Sequence, residues 1–207
     1  MMERLLYISQ QTPDSSHLDN IRAACEAGCR WIQLRVKSGD VSTQATAAKI
    51  ICDQYGAKLS INDHPAMAAV IGAYGAHVGL LDIPVREARQ LTGEGCWLGG
   101  TANTPADALA HAAAGANYIG YGPFRFTTTK EKLSPVLGLE GYKQLMAHLR
   151  EKGVAIPVLA IGGILLEDIP ALMATGIHGV AVSGLITHAA NKKEMVHHIQ
   201  QALSCNN

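Results

Sequence analysis

The 207-residue sequence lacks an excess of charge of either sign: Lys and Arg number 17, Asp and Glu 17, and the formal net charge is zero. Such a chain projects no long-range field toward nucleic acid or an anionic membrane surface, so neither is expected as a partner. No apolar run approaches the ~20 residues needed to cross a bilayer. The opening stretch MMERLLYISQ has no long apolar core, so a secretory signal is not expected. Cysteine is sparse and unpaired in pattern: there are five, with no CxxC spacing, which argues against a disulfide framework and against a zinc knuckle. Cys25 and Cys29 stand four apart on an expected helix and read as small buried thiols. A reducing cytoplasm is the expected location. The length suits one sizeable core, so residues 1–207 are read as a single domain.

What is present is a repeated rhythm. Short β-rich runs alternate with longer, Ala-rich helical stretches. The expected strands are RLLYIS (4–9), RWIQLRV (30–36), AKLSI (57–61), YGAHVG (74–79), CWLGG (96–100), ANYIGYG (116–122), PVLAIG (157–162) and HGVAVSG (178–184). Helices are expected over 17–28, 42–55, 65–72, 84–93, 105–114, 138–152, 166–175 and 190–203. Gly28, Gly56, Gly115, Gly153 and Gly176 each close a helix just before a strand, where a left-handed residue turns the chain back. Eight such units predict a parallel sheet with right-handed crossovers. Closing it removes both edges and gives a (β/α)₈ TIM barrel. A doubly wound open sheet is the alternative.

In a barrel of this kind, reactive groups stand at the C-terminal ends of strands. Along strand 2, alternation puts Gln33, Arg35 and Lys37 on one face and Ile32, Leu34 and Val36 on the other. The apolar face would pack on helices, so the polar one points inward. Buried cations need an anion, either a ligand or a neighbouring carboxylate in a structural ion pair. Asp63 and Asp82 follow strands 3 and 4, ~4.8 Å apart per strand step, within reach of one metal ion. The competing reading is that they cap the following helices. Asn62 could donate to a phosphate or serve a turn. After strand 6, Thr127, Thr128, Thr129 and Lys130 form a donor cluster suited to an anion, or a solvated loop. Gly162 and Gly163 end strand 7 and Ser183 and Gly184 end strand 8, the arrangement of a metal-free phosphate cup. Two anion sites and one metal suggest two phosphorylated substrates. His77 reads as a hydrogen-bonded structural residue rather than a catalytic one.

The blocks QxRxK, IND, HxGxxDxP, GxGPxxxTxTK and AIGGI, in this order and spread nearly end to end, make the chain resemble the thiamine phosphate synthase family. The resemblance implies a transferase that joins 4-amino-2-methyl-5-hydroxymethylpyrimidine diphosphate to 4-methyl-5-(2-hydroxyethyl)thiazole phosphate, releasing pyrophosphate. It implies that Arg35, Lys37, Asn62 and Lys130 hold the diphosphate, with Arg35, Lys37 and Lys130 as the catalytic cations. Asp63 and Asp82 would carry Mg²⁺, and Gln33 would lie near the pyrimidine. Thr127 and Thr129 would shape the pocket, Thr101 could touch the diphosphate, and Gly163, Val182 and Ser183 would cup the thiazole phosphate. The family passes through a pyrimidine-methyl cation and requires no strong general base. The chain departs from the family pattern at Leu80, where a Gln is usual, and at Thr101, where a Ser is usual. Small-molecule substrates are the implied partners, and a homo-oligomer is compatible with the sequence. Alternatives are a thiazole tautomerase paralogue, which would use a histidine for proton transfer, a sugar-phosphate epimerase or isomerase, and a non-catalytic barrel that binds thiamine precursors.

Overall fold

The computed structural model describes residues 2–126 and 135–204. Eight parallel strands close into a barrel in chain order: β1 (Leu5–Ile8), β2 (Trp31–Leu34), β3 (Lys58–Asn62), β4 (Gly75–Val78), β5 (Trp97–Ala102), β6 (Tyr118–Tyr121), β7 (Val158–Ile161) and β8 (Gly179–Val182). β8 pairs with β1 through Leu5–Val180, Leu6–Ala181 and Tyr7–Val182, which removes the last free edge. The closed barrel, not the open sheet, is therefore the fold. β3 and β5 run on to Asn62 and Ala102, past their expected ends.

Around the barrel lie α1 (His17–Glu26), α2 (Val41–Gln54), α3 (Pro65–Val70), α4 (Val85–Thr92), α5 (Pro105–Ala113), α6 (Gly138–Glu151), α7 (Ile169–Met173), α8 (Gly184–Thr187) and α9 (Lys192–Ser204). Local chemistry starts several of them. Ser16 caps α1 in a reciprocal box with Asp19, Thr104 does the same for α5 with Asp107, and the Asp40 carboxylate accepts from the first turn of α2. The helix expected over 166–175 is instead a 3-10 turn (Leu166–Asp168) followed by α7. Pro170 has no N–H to give to a continuous ladder and fits only in a first turn, so the regular helix begins beside it. The four-residue α8 is too short to leave a periodic signal in sequence.

Two apolar layers result. Between strands and helices, Ile32, Leu34 and Val36 are buried in the main core, with small residues such as Ala24, Ala48, Ala88 and Ala108 on the helix side. Small helical side chains let the helices approach the sheet closely. Inside the barrel, Leu6, Trp31, Tyr118, Leu159 and Ala181 form a separate plug. Trp31 and Tyr118 meet edge to face with ring centroids 5.0 Å apart, and the Trp31 indole donates to Ser60 Oγ at 2.9 Å. Two large rings in a narrow barrel require small neighbours. Gly99 supplies the space: a Cβ there would stand 2.1 Å from Tyr118 Cζ and 2.5 Å from His77 Nδ1.

Cys25, Cys29, Cys52 and Cys96 are free and buried, as expected of structural thiols. Burial pushes the Cys29 thiol up to about 12. Among the described residues no helix is long and apolar enough to cross a membrane.

Gly99→Ala is expected to overpack this interior. Tyr118 is fully buried and hydrogen-bonded to His77, so it cannot swing away. The cost is about 1–3 kcal/mol, a fall of roughly 2–4 °C in thermal midpoint per kcal/mol for a chain of this size. Calorimetry of the variant checks it; an unchanged midpoint would show that the plug can repack.

Candidate active site

Beyond the Trp31–Tyr118 plug, the interior turns polar toward the C-terminal ends of the strands. Gln33 is only 2% exposed and points into the barrel, where its Nε2 donates to Asn62 Oδ1 at 2.7 Å. Gln33 Oε1 is buried and makes no hydrogen bond, an orphaned acceptor of the sort that costs about 1–3 kcal/mol if left unmet. Asn62 Oδ1 is taken by Gln33, so the Nδ2 group is its remaining donor end. His77 shares hydrogen bonds with Tyr118 Oη (3.1 Å) and Thr101 Oγ1 (2.9 Å), so both ring nitrogens are held in a structural network.

At the rim, Arg35, Lys37, Asp63 and Asp82 converge. The Arg35 main-chain N–H donates to Ser9 Oγ at 3.1 Å. Its guanidinium is half-buried beside Asp63 and Asp82: burial pulls its proton affinity down and the two carboxylates pull it back. Lys37 Nζ donates to Asp63 Oδ2 in an ion pair. The expectation that Lys37 is buried is not met, since its side chain is 54% exposed against 16% for Asp63. The ladder of β2 ends at Leu34, and the strand's alternation carries Lys37 out beyond the barrel mouth. An exposed pair of this kind adds little stability.

The two aspartates do not cap helices. The N-cap of α3 is His64 and that of α4 is Pro84, and neither makes a side-chain cap. Asp82 Oδ2 instead accepts from the Gly79 N–H at 2.6 Å. Asp63 has φ 64°, left-handed backbone that few side chains adopt but that Asp tolerates. The two carboxyls lie near enough to shift each other's proton affinity. Burial raises Asp82, and the neighbouring Asp63 raises it further. Burial also works against ionisation of Asp63, but Asp82 and Lys37 outweigh it and hold Asp63 below the usual carboxylate range. Two neighbouring oxygen-donor carboxyls suit a hard divalent cation. Among the described residues no group of three or more His, Cys, Asp or Glu could hold a metal, so further ligands would come from substrate oxygens or water.

A cavity of about 700 Å³ opens beside this cluster, at the ends of β1, β7 and β8. Its lining includes Gly162, Gly163, Val182, Ser183, Gln10, His188 and Arg35. Gly163 has φ 70°, which favours glycine, and a Cβ there would make a tight 3.0 Å contact with Arg125 Cβ. Arg125 closes this loop from outside, donating to Gly163 O and pairing with Asp168.

The structure thus brings together Arg35, Lys37, Asp63 and Asp82, sets Gln33 and Asn62 beneath them, and gathers Gly163, Val182 and Ser183 around the cavity. Thr101 is buried, with its hydroxyl engaged by His77. Thr127, Thr129 and Lys130 lie outside the described residues. Sequence reasoning passed over Gln10 and His188. Gln10 follows strand 1 and could have been found by inspecting that strand's end; His188 follows the unforeseen α8 and carries no such signal.

Fold and charged mouth together define a (β/α)₈-barrel enzyme. Residues 5–186 match the family model for thiamine monophosphate synthase, and the chain belongs to that family. It is 50% identical over 196 residues to a thiamine-phosphate synthase of Bacteroides fragilis, covering 93% of this chain and 96% of that one. It is 48% identical over 206 residues to the thiamine-phosphate synthase of Flavobacterium psychrophilum, covering 98% and 100%. Among solved structures, thiamine phosphate pyrophosphorylase from Pyrococcus furiosus superposes with a TM-score of 0.83 at 24% identity, over 97% of this chain and 95% of the other. A 3-hexulose-6-phosphate synthase superposes at 0.68 with 16% identity, over 98% and 100%. At such identities these two show the shared barrel.

The left-handed backbone at Asp63 yields a prediction. Asp63→Gly is expected to stay within about 1 kcal/mol of the parent in stability, whereas Asp63→Val, β-branched at φ 64°, loses more than about 1 kcal/mol. Urea unfolding of the two variants distinguishes them. Equal losses would show that the ion pair with Lys37, not the backbone, sets the requirement.

Proposed function

We propose that the whole chain acts as one catalytic domain that condenses the hydroxymethylpyrimidine diphosphate with the hydroxyethylthiazole phosphate, giving thiamine phosphate and pyrophosphate. The observation that carries this reading is the position of Arg35. It stands beside Asp63 and Asp82 and also lines the cavity that reaches Gly163 and Ser183. A diphosphate held at the first cluster and a monophosphate held at the second would bring their two rings together near it.

The roles follow from the chemistry of each group. Arg35 and Lys37 supply positive charge where the leaving diphosphate develops negative charge, with Lys130 added from the Thr-rich segment. The Nδ2 group of Asn62 and the hydroxyl of Thr101 add neutral donors, and the family resemblance assigns Thr127 and Thr129 to the same pocket. Asp63 and Asp82 would hold Mg²⁺, which when bound spreads the charge of the diphosphate further. The orphaned Oε1 of Gln33 accepts from the amino group of the pyrimidine, which resolves its unmet hydrogen bond. The backbone at Gly163 and Val182, with Ser183, cups the thiazole phosphate.

The bond from the pyrimidine methylene carbon to the diphosphate oxygen breaks, and both electrons leave with pyrophosphate. The cation left on the pyrimidine is attacked by the thiazole nitrogen, forming the new C–N bond. No proton need be abstracted, and the hydrogen-bonded state of His77 supports a mechanism without a histidine base there. The partners are small molecules, and the proposed site of action is the cytoplasm.

The direct test is incubation of the protein with both precursors and Mg²⁺, followed by detection of thiamine phosphate and pyrophosphate. Arg35→Ala and Lys130→Ala are expected to lower kcat by about a hundredfold to a thousandfold while the barrel stays folded. Chelation of the metal is expected to stop turnover. Unchanged rates in either variant would refute the charge role given to it.

A further inference from the structure

A phosphate monoester carries close to two negative charges at neutral pH, and neutral donors alone meet that charge poorly. Among the described residues that line the cavity, Arg35 and His188 are the side chains able to carry positive charge, and none of those residues is Asp, Glu or Lys. Arg35 lines the cavity and feels the charges of Asp63 and Asp82. His188 follows α8 as its C-cap residue and also lines the cavity, linked to Ser183 through Gln10.

The ring is tied to the cup. Ser183 Oγ donates to Gln10 Oε1 at 3.0 Å, and Gln10 Nε2 lies 2.7 Å from His188 Nε2. With its carbonyl oxygen accepting from Ser183, the Gln10 amide presents its NH₂ to the ring, so His188 Nε2 accepts and the ring proton sits on Nδ1. Gln10 is itself fixed, since its backbone carbonyl accepts from Asn20 Nδ2 at 3.1 Å. In this arrangement the Ser183 hydroxyl is spent on Gln10. The opposite arrangement is equally complete. An imidazolium donates Nε2–H to Gln10 Oε1, the amide turns its NH₂ toward Ser183, and the Ser183 hydroxyl is released to donate to an anion.

We propose that His188, coupled to Ser183 through Gln10, is the cationic wall of the phosphate pocket at the ends of β7 and β8, and that it selects a phosphorylated second substrate over its alcohol. The identity of that substrate rests on the function proposed above; the phosphate preference rests on the pocket alone. The other histidine near this end, His17, is turned to Ser9, with Nδ1 2.9 Å from Ser9 Oγ, and does not share the pocket's lining.

The test is calorimetric titration of the full chain, with pyrophosphate and Mg²⁺ present to fill the neighbouring site. The probes are hydroxyethylthiazole phosphate, the unphosphorylated thiazole alcohol and inorganic phosphate. His188 is exposed, so its variants should keep the fold. His188→Gln keeps a hydrogen-bonding side chain without charge and is expected to weaken thiazole phosphate and inorganic phosphate about tenfold, leaving the alcohol unchanged. His188→Arg is expected to restore most of that loss. Phosphate binding insensitive to His188→Gln would overturn the proposal. Failure of every form to bind the thiazole phosphate, with inorganic phosphate still sensitive to His188, would refute the thiazole reading and uphold the pocket.

Discussion

A cation at the mouth of an apolar barrel persists only where anions meet it, and that constraint organises one end of this molecule. Strand β2 starts inside with Trp31, continues with Gln33, and delivers Arg35 and Lys37 beyond its last ladder bond at Leu34. The strand's two-residue period thus converts depth in the barrel into polarity. Asp63 and Asp82, from the ends of the two following strands, balance the charge. Lys37 pairs with Asp63 at the surface, and Arg35 remains half-buried between the carboxylates and the cavity. Neither arrangement is a strong source of stability, since exposed pairs contribute little and half-buried ones spend much of their attraction on desolvation. The proposed function gives this cluster its use, as charge kept in place for a ligand.

The rest of the barrel holds that cluster still. Trp31 and Tyr118 fill the interior below it, and Gly99 makes room for them. His77 and Thr101 link Tyr118 to the polar layer through successive hydrogen bonds. A buried side chain in such a network has few alternative rotamers, so the floor of the site is set before any ligand arrives. Leu80, where the family pattern has an amide, is 42% exposed beside Asp82. The mouth on that side is therefore more apolar than in the pattern, while the charged side is intact.

Much of this was legible in the sequence because barrels write regular signals. Eight apolar strands separated by Ala-rich helices and closing glycines gave the fold, and the alternation of Gln33, Arg35 and Lys37 marked the inner face of β2. The aspartates were found because they follow strands 3 and 4, and the structure removes the helix-cap alternative by giving those cap positions to His64 and Pro84. What the sequence hid was short or relational. Lys37 leaves the barrel because β2 stops early, which no propensity records. The turn-and-helix break before Pro170 and the four-residue α8 fall below one period of a helical pattern. Gln10 and His188 meet only because β1 and β8 are neighbours across the closure, a contact between residues far apart in the chain.

The central claim is that Arg35, Lys37, Asp63 and Asp82 bind one leaving group together with a divalent cation. Calorimetric titration of pyrophosphate, the product common to any such reaction, tests it most directly. The account predicts binding that depends on Mg²⁺, is weakened at least tenfold by Asp82→Asn or Arg35→Ala, and is unaffected by Leu80→Ala. Pyrophosphate that binds equally well without the metal, and equally well to those two variants, would contradict it.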